Sequence, residues 1–154
     1  MKKRILFVLV AVVVLVVGVI VFITQQNSRF MLDEEFYVAS VDTVSMSEIQ
    51  KLIDDKKSFL LFVSQPDCRT ADDFRIVTQD LIANYPLSVF EISSADFNQD
   101  VIENKVRFYP TLMIFKNGKL VDYLESNNDA DVAAYTTVGG LKIWLEQNII
   151  LKST

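Results

Sequence analysis

The sequence predicts an α/β sandwich around a mixed β-sheet, carried behind one N-terminal transmembrane helix. Three observations predict it. Residues 36–150 alternate between short apolar runs of strand length and amphipathic stretches of helical period, the pattern of a sheet covered by helices. YPTLMIFKNGKLVDYLES, residues 109–126, is two β-rich runs about an Asn-Gly step, the strongest short-range signal for a hairpin. Ile5–Thr24 is a run of 20 residues without a charge, and as a helix it would span about 30 Å, the thickness of a bilayer core.

The chain begins MKKR, so three cations precede that run. A cleaved signal peptide has a shorter apolar region, roughly 7–15 residues, followed by a small-x-small site. FITQQNSRF offers no such site. The reading is therefore an uncleaved anchor over residues 1–24, with the basic tip held in the cytoplasm and the rest of the chain outside. QQNSRFMLDEEF is polar and acidic, and residues 25–35 read as a juxtamembrane linker. Residues 36–154 form one domain, a length that can bury a core of its own.

The elements of that domain follow in order. FYVAS, residues 36–40, reads as a short strand. VSMSEIQKLIDD reads as a helix, because Ser45 and Glu48 make a capping box and Val44 and Ile49 sit at the staple positions. SFLLFVS, residues 58–64, is a continuous apolar run, as in a strand buried on both faces. CRTADDFRIVTQDLIANY reads as a helix, with Phe74, Val77, Leu81 and Tyr85 on one face and Pro86 as its stop. LSVFEIS is the next strand. FNQDVIENKVRF is a weaker helix, the hairpin follows, and NNDADVAAYTTVGG is a polar loop. LKIWLEQNII closes the chain as a helix.

Removing the three cations of the leader shifts the formal charge from −5 to −8. That balance argues against nucleic acid, whose phosphates need lysine and arginine, and equally against anionic lipid. It suits a cationic peptide or protein. Cys68 is the one cysteine and there is no histidine. The domain therefore has no internal disulfide, and neither a zinc site nor a histidine-based triad is expected. Asp129 and Asp131 lack the series of ligands a calcium loop needs. No metal and no cofactor is expected.

The element order, the cysteine at the strand-to-helix junction FVSQPDCRTADDF and the run FYPTLMIFKNGK together resemble the thioredoxin superfamily, over about residues 36–150. The resemblance implies a three-layer sandwich and a cis Tyr109-Pro110 bond facing Cys68. It implies an extended peptide bound beside Tyr109 and Pro110 by strand-like pairing. Within the superfamily, FVSQPDCRTAD and the basic-plus-apolar N-terminus resemble the membrane-anchored bacteriocin transport accessory proteins of Gram-positive bacteria. The chain also departs from the superfamily. CRTA places Ala71 where the second cysteine of the redox pair would stand, Asp67 replaces the usual tryptophan, and SFLLFV holds no buried acid.

Cys68 is the candidate nucleophile, and Arg69, Tyr109 and Pro110 are the candidate binding residues. A thiol reacts as its thiolate. The helix N-terminus and Arg69 favour that anion, while Asp67, Asp72 and Asp73 oppose it. Phe108 and Phe115 read as core. Two functions stay open. One is an interaction module that handles an exported peptide or protein with a decayed catalytic pair. The other is a single-cysteine thiol-disulfide oxidoreductase or isomerase whose mixed disulfide is resolved from outside.

Overall fold

The computed structural model describes residues 29–102 and 106–153. Five strands form one sheet in the order β1-β3-β2-β4-β5. β1 (Ser40–Thr43), β2 (Phe59–Ser64) and β3 (Ser88–Ser93) run parallel. β4 (Thr111–Lys116) lies antiparallel to β2, and β5 (Lys119–Tyr123) antiparallel to β4. The predicted mixed sheet is therefore present. β2 is central and all six of its residues are buried, which is why its sequence is apolar throughout rather than alternating.

The first helix, α1 (Met46–Asp54), starts as its sequence prescribes. Glu48 N–H donates to Ser45 Oγ at 3.4 Å, and Ser45 N–H donates back to Glu48 Oε2 at 2.7 Å. α2 (Arg69–Ile82) packs beside α3 (Val132–Thr136) and α4 (Val138–Asn148) on one face of the sheet. The aromatic residues divide accordingly. Phe62 meets Phe74 of α2 at 5.1 Å, and Phe74 meets Tyr135 of α3 at 4.9 Å. On the other face Phe59 stacks on Phe115 at 4.6 Å, and Phe90 lies edge-on to Phe36 at 5.2 Å.

The hairpin turn requires its glycine. Asn117 and Gly118 both hold positive φ, 51° and 74°, as a two-residue turn of the mirror-image type demands. A Cβ on Gly118 would lie 2.3 Å from the Ile53 carbonyl oxygen.

Four expectations need correction. FYVAS is not a strand: Glu34–Phe36 is a 3-10 turn and the strand begins at Ser40. Phe36 is buried in the core, and the Tyr37 hydroxyl accepts from Leu32 N–H and donates to the Ile150 carbonyl, so both aromatic residues act before the strand starts. In FNQDVIENKVRF the described part is a 3-10 turn, Gln99–Ile102. The polar loop folds instead into a 3-10 turn, α3 and the start of α4, with Thr137 capping Gly140 N–H at 3.0 Å. Gly140 lets those helices meet, since a Cβ there would lie 2.0 Å from the Ala133 carbonyl oxygen.

The fourth correction concerns the described part of the linker, which is docked on the domain. Phe30 N–H donates to the Asn148 carbonyl and Ile150 N–H donates to the Phe30 carbonyl, both at 2.9 Å. Asp33 exchanges two hydrogen bonds with the Ser58 backbone, and Glu34 pairs with Lys152 at 2.7 Å. The apolar residues Phe30 and Leu32 pack onto the core in a stretch whose charges suggested solvent. Ile5–Thr24 lies outside the described residues. Among those described, no helix is long and apolar enough to cross a membrane.

Candidate functional site

Thr111, first in β4, is in register with Val63 near the end of β2. That pairing brings the Tyr109-Pro110 step to the sheet end where the chain leaves β2 for α2. The Tyr109-Pro110 bond is cis. The loop between Ser64 and α2 turns at Asp67, whose φ of 53° is left-handed, a conformation in which aspartate is better tolerated than most side chains.

Cys68 is the N-cap residue of α2, with extended backbone angles. Its carbonyl accepts from Ala71 N–H at 2.9 Å and from Asp72 N–H at 3.2 Å. Its side chain makes no capping hydrogen bond and is half-buried. The sulfur therefore sits at the open end of a 14-residue helix with no polar partner among the described residues.

The neighbouring charges are largely committed to one another. Arg69 stands almost fully in solvent, 3.7 Å from Asp73. Asp72 pairs with Arg75 at 2.8 Å, and Arg75 grips Glu91 of β3 with two nitrogens, at 2.7 and 3.2 Å. These contacts raise the Arg75 guanidinium further above its ordinary range, Glu91 first.

Ala71 is 1 % exposed. A buried methyl group therefore occupies the helix position at which the resemblance would put a second thiol. β2 carries no acid, as its sequence states.

Tyr109 is half-buried and its ring lies edge-on to Phe97 at 6.5 Å. Its hydroxyl accepts from Gln99 Nε2 at 2.7 Å. Burial pushes the phenol up, and the Gln99 hydrogen bond opposes that shift. Phe115 is core as expected, but Phe108 is 45 % exposed. It precedes Tyr109 at this end of the sheet and adds apolar surface there.

Sequence reasoning missed Tyr135. Its hydroxyl donates to the Pro110 carbonyl at 2.7 Å, with the Leu124 carbonyl at 3.2 Å, and Thr111 Oγ1 donates to Leu124 O at 2.6 Å. Burial, then the charge of Asp131, pushes the Tyr135 phenol well above its ordinary value. Tyr135 fixes the backbone at the cis-proline and touches α2 through Phe74. The one signal for it was an aromatic residue inside a polar stretch.

Asp131 caps Glu125 N–H at 2.9 Å. It also helps to line a separate cleft with Asp122, Glu125, Trp144 and Gln147. None of Cys68, Arg69, Tyr109 and Pro110 lines that cleft.

This architecture is a thioredoxin-like fold. Among solved structures, the chain is similar to a mutant thioredoxin from Halobacterium salinarum, at 19% identity and a TM-score of 0.55, covering 74% of this chain and 95% of that one. The oxidised thioredoxin of Plasmodium falciparum matches at 21% identity and a TM-score of 0.53, covering 70% and 97%. The Trxlp protein of Edwardsiella tarda matches at 18% identity and 0.52, covering 69% and 98%. No protein-family model and no curated protein matches the sequence.

Proposed function

We propose that this chain is a membrane-anchored, extracytoplasmic, thioredoxin-like interaction protein that handles an exported peptide or protein, cationic in character. The peptide lies in the groove between Cys68 and Tyr109-Pro110, with Arg69 at its rim. The observation that carries this reading is Ala71. A two-cysteine oxidoreductase releases its mixed disulfide by attack of the second thiol, and here that position is a buried methyl group in a chain with one cysteine. The uncharged run Ile5–Thr24 supports the anchor. The resemblance to bacteriocin transport accessory proteins supports an exported peptide as the partner.

A second reading is favoured by the place of Cys68 at a helix N-terminus, half-buried and with no polar partner among the described residues. The Cys68 thiolate attacks a substrate disulfide and forms a mixed disulfide, and the displaced sulfur leaves as a thiolate. A thiolate of the substrate, or an external one, then attacks the substrate sulfur of that mixed disulfide, forming a new disulfide with it, and Cys68 leaves as its thiolate.

Complementation of a deletion strain separates the two. Under the interaction reading Cys68→Ser retains function and Tyr109→Ala loses partner binding. A stably expressed Cys68→Ser protein with a null phenotype establishes the enzyme reading instead. In insulin reduction with dithiothreitol, the native chain stays far below a two-cysteine thioredoxin, and Ala71→Cys raises the rate.

A further inference from the structure

The end of the domain opposite Cys68 has a composition of its own. Asp33 holds Ser58 ahead of β2, Gly118 N–H donates to the Lys57 carbonyl at 2.7 Å, and Lys116 lies over the Phe30 ring at 4.9 Å. Lys116 and Lys119 face each other across the hairpin. The N-terminal clamp, the α1–β2 turn and the β4–β5 turn thus form one surface.

That surface gathers Arg29, Lys56, Lys57, Lys116, Lys119 and Lys152, half of the 12 cations that follow the leader. Its acids are Asp33, turned in to the Ser58 N–H, Glu34 and Glu35, which pair with Lys152 and Lys57, and at its edge Asp122, half-buried against the Asn148 side chain. The adjoining end of α1 adds Lys51 against Asp54 and Asp55. Among the described residues, Arg29, Lys56, Lys116 and Lys119 hold no ion pair. Met31 and Ile150, 47 % and 44 % exposed, stand on either side of the Phe30 clamp. The net negative charge of the exported chain lies elsewhere on the domain.

We propose that this surface rests on the anionic headgroups of the membrane that holds Ile5–Thr24, so that the Cys68 groove faces away from the bilayer. The proposal rests on the anchor reading above. Chain length argues for that occupant. From Thr24 to Arg29 the chain reaches at most about 18 Å, and Arg29 adjoins the clamp. The six residues of β2 then carry the chain about 20 Å towards the groove. Charge argues the same way, since anionic lipid attracts basic segments near its surface. The total of −8 predicts repulsion, but segregation of charge makes this end attractive and the groove end repelled. Exposed apolar side chains among cations suit the headgroup boundary.

Cys68 provides the probe, being the one thiol. The full chain carries a donor dye on Cys68 and is reconstituted into vesicles with acceptor-labelled headgroups, with or without phosphatidylglycerol. On anionic vesicles the donor sits further from the headgroups than on zwitterionic ones, by up to about 20 Å, the length of β2. The difference disappears in Lys56→Glu/Lys116→Glu/Lys119→Glu, and for the native chain at 1 M salt, where the screening length is about 3 Å. Equal transfer from both lipid compositions, in chains that float with the vesicles, overturns the docking and leaves the anchor standing. A chain that fails to float overturns both.

Discussion

Ser58, just ahead of β2, is held from three directions, whereas Cys68, just beyond it, has a side chain without a polar partner among the described residues. The Ser58 N–H donates to Asp33 Oδ2, its carbonyl accepts from Asp33 N–H, and its hydroxyl accepts from Asn117 N–H. Buried polar groups cost stability unless satisfied, so this end is closed by its own contacts. At the Cys68 end the fixed parts are backbone: the cis-proline carbonyl, tied by Tyr135, and the first turn of α2. Above them Arg69 and Phe108 stand in solvent, while Cys68 is half-buried against the core. The difference teaches that the fold fixes the backbone at the Cys68 end, through Tyr135 and the first turn of α2, and leaves the Cys68 side chain without a polar partner among the described residues.

The largest expected effect comes from paired substitutions at the two ends of β2. Phe59→Ala removes a fully buried ring stacked on Phe115 and is expected to cost about 3–5 kcal/mol. Cys68→Ser is expected to change stability by less than about 0.5 kcal/mol. Urea unfolding measures both, and costs of similar size would show that the two ends are equally built in.

A smaller effect tests the floor itself. Tyr135→Phe leaves the ring on Phe74 but frees the Pro110 carbonyl, at a cost of about 1 kcal/mol. The partner should bind more weakly than in the native chain while Phe59 and Phe115 keep their amide protection. Unchanged binding would show that Tyr135 serves only stability.

The smallest effect concerns pH and lies at Asp122, which binds the Asn148 side chain beside the Phe30 clamp. Burial raises the Asp122 carboxyl above its ordinary value, against hydrogen bonds from Asn148 and Tyr123 N–H. A raised acid favours the protonated folded state. Its contribution is therefore complete below the ordinary aspartate value and is lost as pH rises through the raised one. Asp122→Asn should flatten that part of the stability curve, as read from urea midpoints across the acid range. An unchanged slope would assign it to other carboxylates.

Much of this was legible in the sequence. SFLLFVS is apolar because β2 is covered on both faces, and Ser45 with Glu48 declared the start of α1. KNGK declared the hairpin, and the strand-to-helix junction and the Tyr-Pro-Thr step do lie at one end of the sheet, as the resemblance implied. What was not legible depends on contacts distant in sequence. Phe36 and Tyr37 look like strand residues, yet one fills core and the other ties Leu32 to Ile150. Tyr135 acts only after α3 folds across to Pro110. Phe108 resembles its core neighbour Phe115 in composition, and only the path of the chain exposes it. The basic surface is scattered over four stretches of the sequence, so the summed charge conceals it.

The Phe30 bridge has a consequence for how the molecule opens. One residue's amide and carbonyl hold both Asn148 and Ile150, which closes most of the described chain into a non-covalent ring. Fraying at either end should therefore be a single event. The amides of Phe30 and Ile150 are expected to exchange with solvent at matching rates, and cutting the chain back past Phe30 should release the last turn of α4 as well.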